Sequence, residues 1–356
     1  MANINIVFRV DSSLKIGSGH LIRCLTLANQ LSISGAKILF ICSKFDGVMI
    51  DLIAKFGYQY KLINHSSEKN ISQIDDATQT VSHAQNFFND LTSWIIVDHY
   101  KINIDWHRYI KKYIKKLMVI DDLADKNYHC DALLNQNYYK NIDSLYLDLI
   151  PNECKLLLGL DYVMLDPQYL TFKDKIRSRL RGNKKLLIYF GATDSQNLTT
   201  LVLEILLGFN LKNLEMDVVL GSNNQNKKQI YKLSGIHPNI NIYDSLPSLA
   251  ELIFYADLGI GACGSTTWER LCLNLPSFIL SIADNQHEMA KSLSDFSMIF
   301  YGGKSVNLKH EDLKKNLYKF ITSNEINKIL PYSKCIIDAK GTSRIVNFLF
   351  DRTIET

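Results

Sequence analysis

The sequence predicts an α/β chain made of two doubly wound domains in tandem, and three observations carry that expectation. Short apolar runs of strand length alternate with segments of helical periodicity in both halves. The alternation restarts after a basic, glycine-punctuated stretch at residues 173–185. The length of 356 residues suits two domains, each of roughly 150 residues. An apolar content of 47% is enough for two cores.

The first half opens with Ile4, Ile6 and Phe8, an apolar alternation that reads as a strand. Leu21, Cys24, Leu25, Ala28 and Leu31 then recur at helical spacing, and Ser34-Gly35 stops that helix. Residues 37–42 form a second strand, 48–56 a short helix, and 58–63 a third strand, followed by a polar loop at 64–73. Ile74, Ala77, Val81, Ala84, Phe88 and Leu91 mark one face of a long helix. The runs 94–97 and 117–120 are apolar throughout, the pattern of strands buried on both faces of a parallel sheet.

The second half repeats the scheme. Residues 186–190 are a strand, Gly191-Ala192-Thr193-Asp194 a turn, and 198–209 a helix. Strands follow at 216–221, 240–243 and 258–261, with a helix at 249–255. Gly264-Ser265-Thr266-Thr267 opens another helix whose apolar face includes Leu271 and Leu275, and 277–280 is the last clear strand. The expected organisation is an N-terminal Rossmann-like domain at 1–170, a C-terminal one at 184–340, and a terminal helix at 341–356 packing back on the first. Two such domains make a cleft, a preferred place for a ligand.

Composition removes several function classes. Lys and Arg exceed Asp and Glu by only four, so no face for a polyanion is announced and nucleic acid is not expected as a partner. The seven cysteines are scattered, with no C-x-x-C pair for zinc, and read as buried thiols of a reducing compartment. No signal-peptide pattern and no apolar run near 20 residues occurs, so a cytoplasmic protein without a membrane span is expected. Oligomeric state is open at this level.

The most informative stretch is 8–20, where Gly17-Ser18-Gly19-His20 runs from a strand into a helix. His20 falls in the first helical turn beyond a carboxyl strand end, where open α/β sheets place ligand chemistry. Flanking glycines let the backbone approach a bulky anion, and free N–H groups of a helix start favour negative charge. A residue that merely caps a surface helix is the structural alternative. Two further polar clusters, Asp98-His99-Tyr100 and Asp121-Asp122, follow strands at the same edge, although aspartates there also cap turns. In the second half, the 264–267 helix start and the Gly191–Asp194 turn are candidate diphosphate cradles, with Glu269 placed for a ribose diol. Capping by Ser265, with Glu269 complementing the dipole, is the alternative. No Walker loop occurs, so a nucleotide sugar fits better than a triphosphate.

These residues make the chain resemble the UDP-sugar hydrolases of pseudaminic acid biosynthesis, which are themselves similar to GT-B glycosyltransferases. The resemblance runs over nearly the whole chain. Its motifs are Arg9-Val10-Asp11-Ser12, Ile16-Gly17-Ser18-Gly19-His20, Asp98-His99-Tyr100, Asp121-Asp122, Gly191-Ala192-Thr193-Asp194, Gly264-Ser265-Thr266-Thr267-Trp268-Glu269 and Asn285-Gln286. Ala192 stands where the family often has a second glycine. The resemblance implies metal-independent hydrolysis of UDP-2,4-diacetamido-2,4,6-trideoxy-β-L-altropyranose, with inversion and without a cofactor. It puts the catalytic histidine at His20, substrate-lining positions at Tyr100 and Asn285, and the ribose-binding acid at Glu269. Around these we expect Asp11 to orient His20, Arg9, Gly17, Ser18, Gly19 and Gln286 to line the sugar, and Gly191, Thr193, Gly264, Ser265 and Thr266 to hold UDP. A helix N-terminus disfavours the imidazolium, which suits His20 to a general base, with a cationic phosphate clamp as the rival role. A GT-B glycosyltransferase, a hydrolysing 2-epimerase and a non-catalytic UDP-sugar sensor are the competing functions.

Overall fold

The computed structural model describes residues 4–13, 16–65, 71–175, 184–322 and 337–352. The chain divides into two units, Met1–Leu165 with Lys340–Thr356, and Asp166–Ala339.

The first unit is built on a seven-stranded, all-parallel sheet. Its strands are β1 (Asn5–Val10), β2 (Lys37–Ser43), β3 (Gln59–Ile63), β4 (Trp94–Asp98), β5 (Lys116–Ile120), β6 (Ala132–Asn135) and β7 (Lys155–Leu158), in the order β3-β2-β1-β4-β5-β6-β7. Because both faces are covered, alternate residues feed two cores. Ile6, Phe8 and Phe40 pack on one side, and Val7, Leu39, Ile95 and Val97 on the other. The order reverses between β1 and β4, the switch point at which doubly wound sheets open a crevice. Val10 pairs with Asp98, and Asp98 with Ile120, so the polar residues that follow these strands emerge level with one another.

Gly341–Leu349 is a helix that buries Ile345, Val346 and Leu349 in the β1 side of this unit. Trp94 Nε1 donates to the Leu349 carbonyl at 3.1 Å. A Cβ at Gly341 would lie 2.3 Å from the Val163 carbonyl oxygen, so only glycine permits this approach.

The second unit repeats the topology with β8 (Lys184–Tyr189), β9 (Leu214–Leu220), β10 (Ile240–Asp244), β11 (Leu258–Ala262), β12 (Ser277–Ser281) and β13 (Phe300–Lys304) in the order β10-β9-β8-β11-β12-β13. Here β8 and β11 flank the reversal.

The structure adds β6, β7 and β13 to the strands read from sequence. The first two are only four residues long and give too little periodicity to detect. The third contains Gly302, where a Cβ would collide with the Phe278 ring at 2.3 Å, so packing has removed the apolar signal that marks a strand. Helices Ile104–Ile110, Gln168–Lys173, Lys227–Ile236, Asp284–Asp295 and His310–Thr322 are likewise additional. Residues 176–183 of the basic stretch lie outside the described residues. Among the described residues no helix is long and apolar enough to cross a membrane.

Candidate active site

Between β1 and the first helix, Ser13 is hydrogen-bonded to Ile16 and Gly17. Gly17 N–H donates to the Ser13 carbonyl at 2.9 Å and Ile16 N–H to Ser13 Oγ at 3.0 Å. Gly17 has φ +79°, a left-handed conformation that glycine adopts at no steric cost. The helix Gly19–Ile33 then starts from Ser18, whose side chain makes no cap bond. His20 is thereby held in the first turn with 13% of its side chain accessible.

His20 belongs to a closed ring of five side chains at the carboxyl ends of β1, β4 and β5. Its Nδ1 lies 2.6 Å from Asp98 Oδ1. Arg23, one turn further along the helix, donates Nε to Asp98 Oδ2 and Nη2 to Asp98 Oδ1, both at 2.6 Å. The other edge of the same guanidinium grips Asp122 through Nη1 at 2.9 Å and Nη2 at 2.8 Å. Tyr100 donates its hydroxyl to Asp122 Oδ2 at 2.7 Å, and its ring meets His20 edge-on with centroids 4.6 Å apart. Asn137 completes the Asp122 shell at 2.7 Å.

Burial opposes the charge of Asp98, but Arg23 and then His20 outweigh it and hold the carboxyl well below its usual range. Asp122 is likewise lowered against burial, chiefly by Arg23. Burial, followed by the Asp122 charge, pushes the Tyr100 phenol far up, so it stays a donor. Arg23 Nη2 is also 3.1 Å from His20 Nδ1. Both cannot donate to each other, and the shorter contact to an ionised carboxylate decides: Nδ1 carries a hydrogen toward Asp98. Nε2 makes no hydrogen bond among the described residues, so in the neutral ring it presents a lone pair.

Two expected roles are corrected by these contacts. Asp11 does not orient His20. It is buried against Arg9 and accepts from Ser43 N–H at 2.7 Å, from Ser43 Oγ at 2.8 Å and from His99 Nε2 at 3.0 Å. Arg9 does not line a substrate, because it is fully buried and donates to Asp11, Asp76 and Ser43. The inward-facing position at the end of β1 explains both, since a buried charge persists only when paired. Trp106 Nε1 and His65 Nε2 also reach Asp76, at 2.8 and 3.0 Å. This network lies under the Asp98-His99-Tyr100 turn and fixes it through His99. Burial keeps His99 low despite Asp11 beside it.

Sequence reading missed Arg23 and Asn137, and placed Asp98 and Asp122 in polar clusters at the ligand edge without an individual role. A signal for Arg23 was available, since i and i+3 share a helix face and place it beside His20.

In the second unit the Gly191–Asp194 turn follows β8. Gly191 has φ +95°, and Gly191 and Thr193 are half-buried. Asp194 accepts from the N–H groups of Leu198 at 2.9 Å and Thr199 at 3.0 Å. It caps the next helix and leaves the turn's own backbone uncovered by that carboxylate. A Cβ at Gly221 would lie 2.3 Å from the Ala192 backbone, so the turn rests directly on β9's end. Gly264 is the extended N-cap of helix Ser265–Cys272 and contributes no side chain. Ser265 does not cap it. The Ser265 and Thr266 hydroxyls make no hydrogen bond among the described residues. Glu269 accepts the Tyr169 hydroxyl at 2.7 Å. Burial raises its pKa, with Tyr169 and Arg270 pulling the other way. Asn285 is exposed at the start of helix Asp284–Asp295, and Gln286 Oε1 accepts the Ile282 N–H at 2.9 Å. Among the described residues no group of three or more His, Cys, Asp or Glu is arranged to hold a metal ion.

Two parallel doubly wound units in tandem, each with its polar loops at the carboxyl edge, define an α/β chain of the GT-B type. A solved structure of MurG from Acinetobacter baumannii superposes with a TM-score of 0.66 at 13% identity, over 98% of this chain and 99% of that one. The resemblance to the UDP-sugar hydrolases holds along the chain. The UDP-2,4-diacetamido-2,4,6-trideoxy-β-L-altropyranose hydrolase of Campylobacter jejuni is 27% identical over 298 residues, 82% of this chain and 96% of the relative. An uncharacterized protein of Methanocaldococcus jannaschii is 27% identical over 348 residues, 95% of this chain and 69% of its own. No family model matches.

Proposed function

We propose that the chain is a UDP-sugar hydrolase that cleaves UDP-2,4-diacetamido-2,4,6-trideoxy-β-L-altropyranose, without a metal or cofactor and with inversion. The observation that carries the chemistry is the Asp98–His20 contact at 2.6 Å, which leaves Nε2 as an oriented base at the sheet's switch point. His20 Nε2 takes a proton from water as its oxygen bonds to the anomeric carbon. The bond from that carbon to the β-phosphate oxygen breaks, and UDP leaves with the electron pair. Asp98 stays ionised and stabilises the imidazolium, the division of labour of an Asp–His pair.

UDP falls to the second unit in this scheme. The backbone of Gly191, Thr193 and Gly264 and the hydroxyls of Ser265 and Thr266 supply donors to the diphosphate, which helix starts favour. Glu269, held by Tyr169, accepts from the ribose. Tyr100, Asn285 and Gln286, with Gly17, Ser18 and Gly19, select the sugar. The relative in Campylobacter jejuni supports this substrate.

The test is an NMR time course with that UDP-sugar, EDTA and no acceptor. Release of UDP and the free inverted sugar is expected. Unchanged substrate overturns the hydrolase reading and favours a glycosyltransferase on the same fold. His20→Asn is expected to lower kcat by about 100- to 10,000-fold, the usual worth of a general base, while UDP affinity is kept. Lost UDP affinity in this variant would make His20 a phosphate clamp instead.

A further inference from the structure

We infer that Arg23 is a positioning residue that sets His20 and Tyr100 together, by gripping Asp98 with one edge of its guanidinium and Asp122 with the other. The inference rests on the hydrolase reading for its kinetic consequence and on geometry alone for its structural one.

Only the fork of an arginine meets the two carboxylates at once. Nε and Nη2 form a parallel pair of bonds to Asp98, and Nη1 and Nη2 form another to Asp122. Each carboxylate then holds one further ring. Asp98 Oδ1 takes His20 Nδ1 and Asp122 Oδ2 takes the Tyr100 hydroxyl. Neither carboxylate is free for proton transfer. Asp122 Oδ1 is occupied by Arg23 and Asn137, its Oδ2 by Arg23 and Tyr100, and both oxygens of Asp98 face Arg23. Their work is orientation. Because the two rings also touch, a change at either carboxylate reaches both through Arg23.

A lysine keeps the charge and loses the fork. Arg23→Lys is therefore the central variant, and it avoids leaving two buried carboxylates unpaired. The first readout is kinetic, with UDP-2,4-diacetamido-2,4,6-trideoxy-β-L-altropyranose as substrate. Expected is a kcat loss of about 100-fold, the lower end of a general base's worth, with a smaller rise in KM, since the displaced Tyr100 also meets the bound sugar whereas His20 acts in the transition state. Asp122→Asn should lower kcat on its own and add little in the Arg23→Lys background, because residues acting as one unit are not additive.

The second readout needs no turnover. In ¹⁵N-histidine spectra, assigned by the signal that vanishes in His20→Asn, wild-type His20 should show a protonated Nδ1 and an unprotonated Nε2. Arg23→Lys should move it toward a mixture of tautomers. An Arg23→Lys enzyme within about threefold of wild-type kcat, well short of the loss of a general base, overturns the inference. So does full additivity of the two substitutions, or a His20 tautomer that Arg23→Lys leaves unchanged. If His20→Asn stays active the general-base role of His20 fails, if wild type leaves the substrate intact the hydrolase reading fails, and in either case the tautomer measurement still decides the role of Arg23.

Discussion

The two units share one strand order and differ in what stands at the carboxyl edge. In the first, charge is internal. Arg9 and Arg23 are buried and shared among Asp11, Asp76, Asp98 and Asp122. In the second, the corresponding loops hold glycines, hydroxyls and backbone N–H groups. There, buried Arg270 donates to the Ala262 carbonyl at 2.8 Å and forms no ion pair among the described residues, and Glu269 has a tyrosine partner. Burial lowers Arg270 to about 10, the opposite of what paired Arg23 shows. One backbone plan thus carries two kinds of edge. Ion pairs fix side chains in place in the first unit, whereas glycines, hydroxyls and backbone N–H groups, the kind of donors that suit an anion, stand at the second.

Removing one partner of a buried pair in the first unit should give the largest stability effect. Asp76→Ala strips Arg9, His65 and Trp106 of their shared acceptor, and a loss of about 3–5 kcal/mol is expected in urea unfolding. A loss under about 1 kcal/mol, the size of a surface pair, would break the contrast between the units.

Acid should separate them next. Asp11, Asp76, Asp98 and Asp122 are held low, so their contribution is complete above the unfolded value of about 3.9 and is lost as pH falls through their folded values. Glu269 and Asp194 are raised by burial, so their contribution is complete in acid and is lost as pH rises through the folded values. Below about pH 4 the first unit should unfold ahead of the second. Fluorescence of single-tryptophan variants retaining Trp106 or Trp268 reads each unit separately.

Ser265→Ala with Thr266→Ala should weaken UDP binding by about tenfold, from the usual 0.5–1.5 kcal/mol per hydrogen bond, and leave kcat nearly unchanged. Calorimetry with UDP measures the first and the hydrolysis assay the second. A large kcat loss would assign chemistry to the second unit. The smallest effect is expected from Lys227→Ala, whose partner Asp244 is exposed at 2.6 Å. Under about 1 kcal/mol of stability should be lost, and more would show that surface pairing matters here as burial does in the first unit.

Periodicity and all-apolar runs determined most of the fold without reference to tertiary contacts, because strand and helix repeats are local properties. β6 and β7 escaped because four residues carry too little pattern, and β13 because Phe278 dictates a glycine in it. At the site, the Gly17-Ser18-Gly19-His20 run and the Asp98 and Asp121-Asp122 clusters were legible as polar residues in places a core would not ask for. Which aspartate serves which cation was not. Asp11 is nine residues from His20 in sequence and Asp98 seventy-eight, yet the parallel pairing of β1 with β4 puts Asp98 at 2.6 Å and turns Asp11 toward Arg9. Sequence set the residue types available at the sheet edge. Strand register and burial decided the partners, because a charge taken out of water pairs with whatever the fold brings within reach.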